Sequence, residues 1–230
     1  MLGSESKFSI LSATAALSAL LLLTGCAAPV ETQVADGPQP SADSAVPSEL
    51  LPYYEQKLSW VTCADSKVYC STLEVPADWN DPQGDRFKLS IVYRKADGGK
   101  PLGSLLFNPG GPGTSGVSWV RDSGEQIGTS TLRSNYNIVG FDPRGVGESE
   151  PKVNCLSNKE KDEMFYGASA APVGSVQEVA ETRAKMKKFV AACVKNTGPG
   201  LKYIDTISAA KDMDIIRAVF GESKINYLGY

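Results

Sequence analysis

Histidine is absent from the 230 residues. No imidazole within them can act as general base, proton shuttle or metal ligand. A zinc site would need thiolates and carboxylates alone, and no Cys-x-x-Cys pair starts one. The phosphate-cradling pattern Gly-x-x-x-x-Gly-Lys-Ser/Thr is also missing. So is any dense cluster of Lys and Arg. The 23 cations and 26 carboxylates leave a formal charge of -3, so no nucleic-acid partner is expected. No metal or cofactor is expected either. The apolar run from Ile10 to Leu23 is too short for a membrane-spanning helix.

What is present begins with a processing signal. Lys7 supplies a basic start, the apolar run follows, and Leu23-Thr24-Gly25-Cys26 closes it. That order resembles a bacterial lipobox, with a small residue before the cut and a thiol after it. Residues 1–25 are therefore expected to be a lipoprotein signal, and Cys26 the lipidation site. The expected location is the extracytoplasmic face of a bacterial cell membrane, with the bilayer as a partner through the anchor. An ordinary secretory signal is the plainer alternative. Residues 26–50 hold Pro, Ser, Ala, Gly and acids with few large apolar side chains, so they read as a disordered tether. A folded domain is expected over 51–230.

Cys63, Cys70, Cys155 and Cys193 remain once Cys26 is set aside. An even number in an exported chain favours two disulfides. Three pairings are open. Cys63 with Cys70 is favoured because the two flank one turn before a strand, which leaves Cys155 with Cys193. Residues 155–200 then form an insertion or cap-proximal segment tied at its base. Its acids Glu160, Asp162, Glu163 and Glu178 could meet a substrate ammonium, but a solvated surface is the favoured reading of each.

Val68 to Val75 reads as a strand ending at Pro76, and Phe87 to Tyr93 alternates as a second, antiparallel to it. Ser104 to Phe107 and Asn137 to Phe141 are short and continuously apolar, as strands covered on both faces are. Val176 to Val194 is helical by spacing, with Val176, Val179, Met186, Val190 and Cys193 on one face. A further helix over Thr206 to Val219 is capped by Asp205 or Thr206 and turns Ile207, Ala210, Met213, Ile216 and Phe220 inward. Lys224 to Gly229 reads as a last strand. The alternation argues for an α/β layer fold with right-handed crossovers.

Two loops carry the chemistry. Asn108-Pro109-Gly110-Gly111-Pro112-Gly113-Thr114-Ser115-Gly116 follows a central strand. Its glycines permit backbone conformations that aim N–H groups into a cleft, as an oxyanion hole requires. A tight structural turn is the plainer alternative. Gly140-Phe141-Asp142-Pro143-Arg144-Gly145-Val146-Gly147-Glu148-Ser149 follows the next strand. Asp142 can accept N–H bonds from the turn it starts. Arg144 can pair with a carboxylate, Asp142 among the candidates, or clamp a substrate carboxylate. The favoured reading is a loop that braces the glycine loop beside it. Ser149 has no local base.

These two runs, with Gly103 to Phe107 leading into the first, resemble the α/β-hydrolase family of secreted tripeptidyl aminopeptidases and their proline iminopeptidase relatives. Cys70 to Trp79 is similar to that family's N-terminal strand entry, and Thr206 to Arg217 with Ile225 to Tyr230 to its approach to the nucleophile. The resemblance extends from about Trp60 to the end. It implies the N-terminal half of an α/β-hydrolase sheet, cut at the nucleophile elbow, from an enzyme releasing short peptides from substrates with a free N-terminus. It implies a Ser-Asp-His triad with the Ser in a Gly-x-Ser-x-Gly elbow. Gly229 and Tyr230 match the first two elbow positions, so the nucleophile is expected just after Tyr230 and no triad member within the chain. Gly110 and Gly111 match the oxyanion glycines. Pro109 stands where many proline iminopeptidases have His, which leans towards the tripeptidyl group. The chain alone is then expected to be inactive and poorly stable. An esterase of the same fold, and a lipid-anchored binding or vestigial domain, are the alternatives.

Overall fold

Strand alternation divides the chain into two hydrophobic cores, one on each face of a mixed sheet. The computed structural model describes residues 34–35, 37–40 and 46–230. Cys26 and the apolar run before it lie outside the described residues. The strands are β1 (Val34–Ala35), β2 (Trp60–Thr62), β3 (Val68–Pro76), β4 (Arg86–Arg94), β5 (Gly103–Asn108), β6 (Tyr136–Phe141) and β7 (Asn226–Gly229). Their order across the sheet is β1-β2-β3-β4-β6-β5-β7. β1 to β4 and β6 pair antiparallel, whereas β5 lies parallel to both β6 and β7. The helices are α1 (Leu51–Tyr54), α2 (Gly116–Ser123), α3 (Ser130–Asn135), α4 (Asn158–Tyr166), α5 (Val176–Thr197) and α6 (Thr206–Val219).

Period-two side chains explain the two cores. On β4, Phe87, Leu89, Ile91 and Tyr93 join Leu106 of β5 and Val139 and Phe141 of β6 beneath α1 and α6. On the other face, Val92, Leu105, Phe107 and Ile138 meet Val117 and Val120 of α2. Burial of each such aliphatic side chain contributes roughly 1.5–3 kcal/mol. α2 reaches this face because β6 carries Gly140: a Cβ there would lie 2.4 Å from the Gly116 carbonyl oxygen.

Three sequence expectations change. Packed structure begins before Leu51: β1 pairs with β2, and Val46 and Leu50 pack against the core. A tether starved of large apolar groups can still add backbone hydrogen bonds to a sheet edge. On α6 the inward stripe is confined to the last turns. Ile216 and Phe220 are buried, with Ile215, Ala218 and Val219, whereas Ile207 is 71% exposed and Ala210 is exposed. On α5 the apolar stripe faces outward, and of its members only Cys193 is buried.

Both disulfides close: Cys63 with Cys70, and Cys155 with Cys193. The second ties α5 to the start of its own segment, with Asn196 Nδ2 donating to the Cys155 carbonyl (2.8 Å). Glu160 and Glu178 serve their own helices. Glu160 closes a capping box with Ser157, and Glu178 accepts the Gly174 N–H. Among the described residues no helix is long and apolar enough to cross a membrane.

Candidate active site

The two glycine loops leave the carboxyl ends of β5 and β6 side by side. Ligand clefts in sheets with parallel strands lie at that end. A cleft of about 590 Å³ opens there, lined by Gly111, Pro112, Pro143, Arg144, Ile204 and Asp205 among others. A second cleft of similar volume sits at the opposite ends of β5 and β6, beside Lys95, Asn137 and Glu222, away from both loops. Asp205 caps α6 by accepting the Ser208 N–H at 2.9 Å, and that bond holds its carboxyl below the usual carboxylate range.

Asn108 organises the first loop. Its Oδ1 accepts the Gly110 N–H at 2.9 Å, an Asx turn, and its carbonyl accepts the Tyr230 N–H at 3.2 Å. Gly110, expected as an oxyanion donor, therefore has its N–H occupied. An Asn two residues upstream supplies a local acceptor for it. The Gly111 N–H makes no hydrogen bond among the described residues. Gly110 matters for another reason: a Cβ on it would lie 2.5 Å from the Tyr230 carbonyl oxygen. The close approach brings Gly229-Tyr230, expected as the elbow start, against the loop expected to bind the oxyanion.

Asp142 ties this loop to the second one. It is fully buried. Its Oδ1 accepts from Ser115 Oγ (2.7 Å) and the Val117 N–H (3.1 Å), and its Oδ2 from the Glu148 N–H (2.8 Å). Ser115 Oγ in turn accepts the Ser118 N–H and caps α2. One carboxylate thus fixes where the glycine loop ends, where α2 begins and how the second loop turns. Ser149 is buried, donating to the Asp142 carbonyl (2.6 Å) and accepting from Ser90 N (2.9 Å).

Arg144 does not pair with Asp142. Its partner is Asp212 on α6, held by Nε at 2.7 Å and Nη2 at 2.7 Å. The three remaining N–H groups donate to the carbonyls of Pro76, Ala77 and Tyr203. All five guanidinium donors are used, and the residue is 2% exposed. No donor is left to clamp a substrate carboxylate. Trp79 Nε1 also donates to Asp212 (3.2 Å). Burial pushes the Asp212 carboxyl up, and the bonds from Arg144 and Trp79 oppose it.

Sequence reasoning missed Asp212, Trp79 and Tyr203, because each lies far along the chain from Arg144. No local signal singled out Asp212, since Asp214 stands two residues on in the same half of α6. Ser115, the N-cap of α2, was readable only as part of the glycine run. Among the described residues no cluster of Cys, Asp and Glu could hold a metal ion.

Residues 103–230 match the family model of the alpha/beta hydrolase fold. The chain belongs to that family. Serine protease Hip1 of Mycobacterium tuberculosis is 35% identical over 188 residues, 78% of this chain and 35% of its own length. Tripeptidyl aminopeptidase of Streptomyces lividans is 32% identical over 181 residues, covering 75% and 33%. Carboxylesterase B of Mycobacterium tuberculosis is 34% identical over 179 residues, covering 72% and 33%. This alpha/beta-hydrolase chain thus spans about a third of the length of the relatives it matches.

Proposed function

We propose that the chain supplies the oxyanion-stabilising part of an exported serine hydrolase that releases short peptides from free N-termini. The observation that carries this reading is the unbonded Gly111 N–H on the wall of the cleft. As a nucleophile attacks a carbonyl, negative charge grows on the carbonyl oxygen. An N–H already fixed in place stabilises it without reorganisation, and the Asn108, Asp142 and Ser115 bonds supply that fixity. Gly229 and Tyr230 open the elbow, and the nucleophile, its base and the second oxyanion donor come from polypeptide other than these 230 residues. An acyl chain on Cys26 holds the protein on the outer face of the membrane; the order Leu23-Thr24-Gly25-Cys26 supports this. Peptide release is favoured by the Asn108-Pro109 start of the loop and by the aminopeptidase relative. The carboxylesterase relative supports an esterase as the second reading.

A hybrid tests it. Residues 1–230 are joined to the part of the Streptomyces lividans enzyme that follows its matched region. The folded hybrid is expected to release tripeptides. Gly111→Ala keeps the N–H but displaces it, because φ is 120° and a Cβ would lie 2.8 Å from Thr114 Oγ1, and is expected to lower kcat by up to about 10²–10³-fold. A folded hybrid that cleaves short esters but no peptide would establish the esterase reading instead. A kcat untouched by Gly111→Ala would remove this loop from catalysis.

A further inference from the structure

The outward face of α5 is built the wrong way round for a solvated helix. Val176, Val179, Met186, Val190 and Val194 recur at helical spacing and are 90%, 42%, 46%, 59% and 58% exposed. At 1.5 Å per residue this stripe runs about 27 Å. Glu178, Glu181 and Lys185, by contrast, are half-buried on the inward side. Both acids of the helix are engaged by the chain itself: Gly174 N–H donates to Glu178, and Ser169 and Gln177 donate to Glu181. By the same spacing Arg183 falls within the stripe and Lys187 beside it. Neither makes a hydrogen bond or ion pair among the described residues. The outward face is therefore aliphatic, and its charges are all cationic. The five cations and two carboxylates of α5 stand in a chain whose net charge is negative.

We propose that this face of α5 lies on an anionic lipid surface. A protein cover would bury Arg183 in the middle of the contact and require a carboxylate to meet it. An anionic bilayer surface satisfies both parts of the face. The valines and Met186 enter the boundary between headgroups and acyl chains. Arg183 and Lys187 extend their stems along that layer and place their charges at lipid phosphates. The Cys155–Cys193 disulfide anchors the helix to the domain, so the contact sets the orientation of the domain on the membrane.

The test places a reporter on the face of the full chain. The Val190→Trp chain and a control, Leu102→Trp, are mixed with vesicles containing brominated acyl chains; Leu102 is 74% exposed and away from α5. With phosphatidylglycerol vesicles, the added fluorescence of the Val190→Trp chain is expected to be quenched, and that of the control to persist. The selective quenching is expected to be lost in phosphatidylcholine vesicles and in an Arg183→Glu, Lys187→Glu background. Equal quenching of both reporters, quenching indifferent to lipid charge, or no quenching at all would overturn the proposal. A Val190→Trp spectrum already blue-shifted without vesicles would also overturn it, by showing a protein cover on this face.

Discussion

Replacing Arg144 with Met is expected to destabilise the fold by about 3–5 kcal/mol, because Asp212 would remain buried without its counter-ion. For a domain of this size that is a fall in Tm on the order of 10 °C. The loss exceeds that of an ordinary ion pair. Arg144 joins the end of β3, the turn after it, the segment before α6, and α6 itself through five hydrogen bonds. Arg144→Lys is expected to lose most of the same stability, since an ammonium cannot reproduce the planar fork on Asp212. The double replacement Arg144→Met, Asp212→Leu is expected to recover a large part, because no charge is then stranded. Denaturant unfolding of the three variants checks the argument. A single Arg144→Met loss below about 1 kcal/mol would show that water reaches Asp212.

Asp142→Ala is expected to loosen the glycine loop and to destabilise the chain by about 3 kcal/mol, through three donors left without their acceptor. Ser115 Oγ can rotate to another partner, so the weight falls on the N–H groups of Val117 and Glu148. Hydrogen exchange at those two amides is expected to accelerate beyond the rest of α2. Asp142→Asn keeps one acceptor oxygen and is expected to fall between the two. Exchange that rises uniformly across the sheet would instead show a global effect with no specific brace.

The periodic parts of the fold were legible in the sequence. β3, β4, β5 and β6 declare themselves through alternation or short apolar runs, and α5 and α6 through helical spacing and their capping residues. What the sequence did not disclose depends on neighbours. Spacing put Val176 to Val190 on one face of α5, but only packing decides whether a face meets the core. Here the inward side is set by the disulfide and by the bonds of Glu181 and Lys185 to Ser169 and Gly167, in the segment before α5. The expectation that α6 buries its whole stripe failed at Ile207, in the end of the helix whose Thr206 and Ala209 line the cleft. At the site, composition pointed to both loops, and Asp142 was legible as the acceptor of its own turn. The partner of Arg144 lies 68 residues away, a separation no local pattern encodes. The Asx turn that takes up the Gly110 N–H depends on the Asn108 side-chain rotamer, which the sequence leaves open.

The chain holds two glycine loops at the carboxyl ends of β5 and β6 and no imidazole to activate a nucleophile. The most direct test is turnover by the purified, folded 230-residue chain on tripeptidyl and short-ester chromogenic substrates. No hydrolysis above the uncatalysed rate is predicted for either substrate across neutral pH. Sustained hydrolysis of either one by these residues alone would contradict the account.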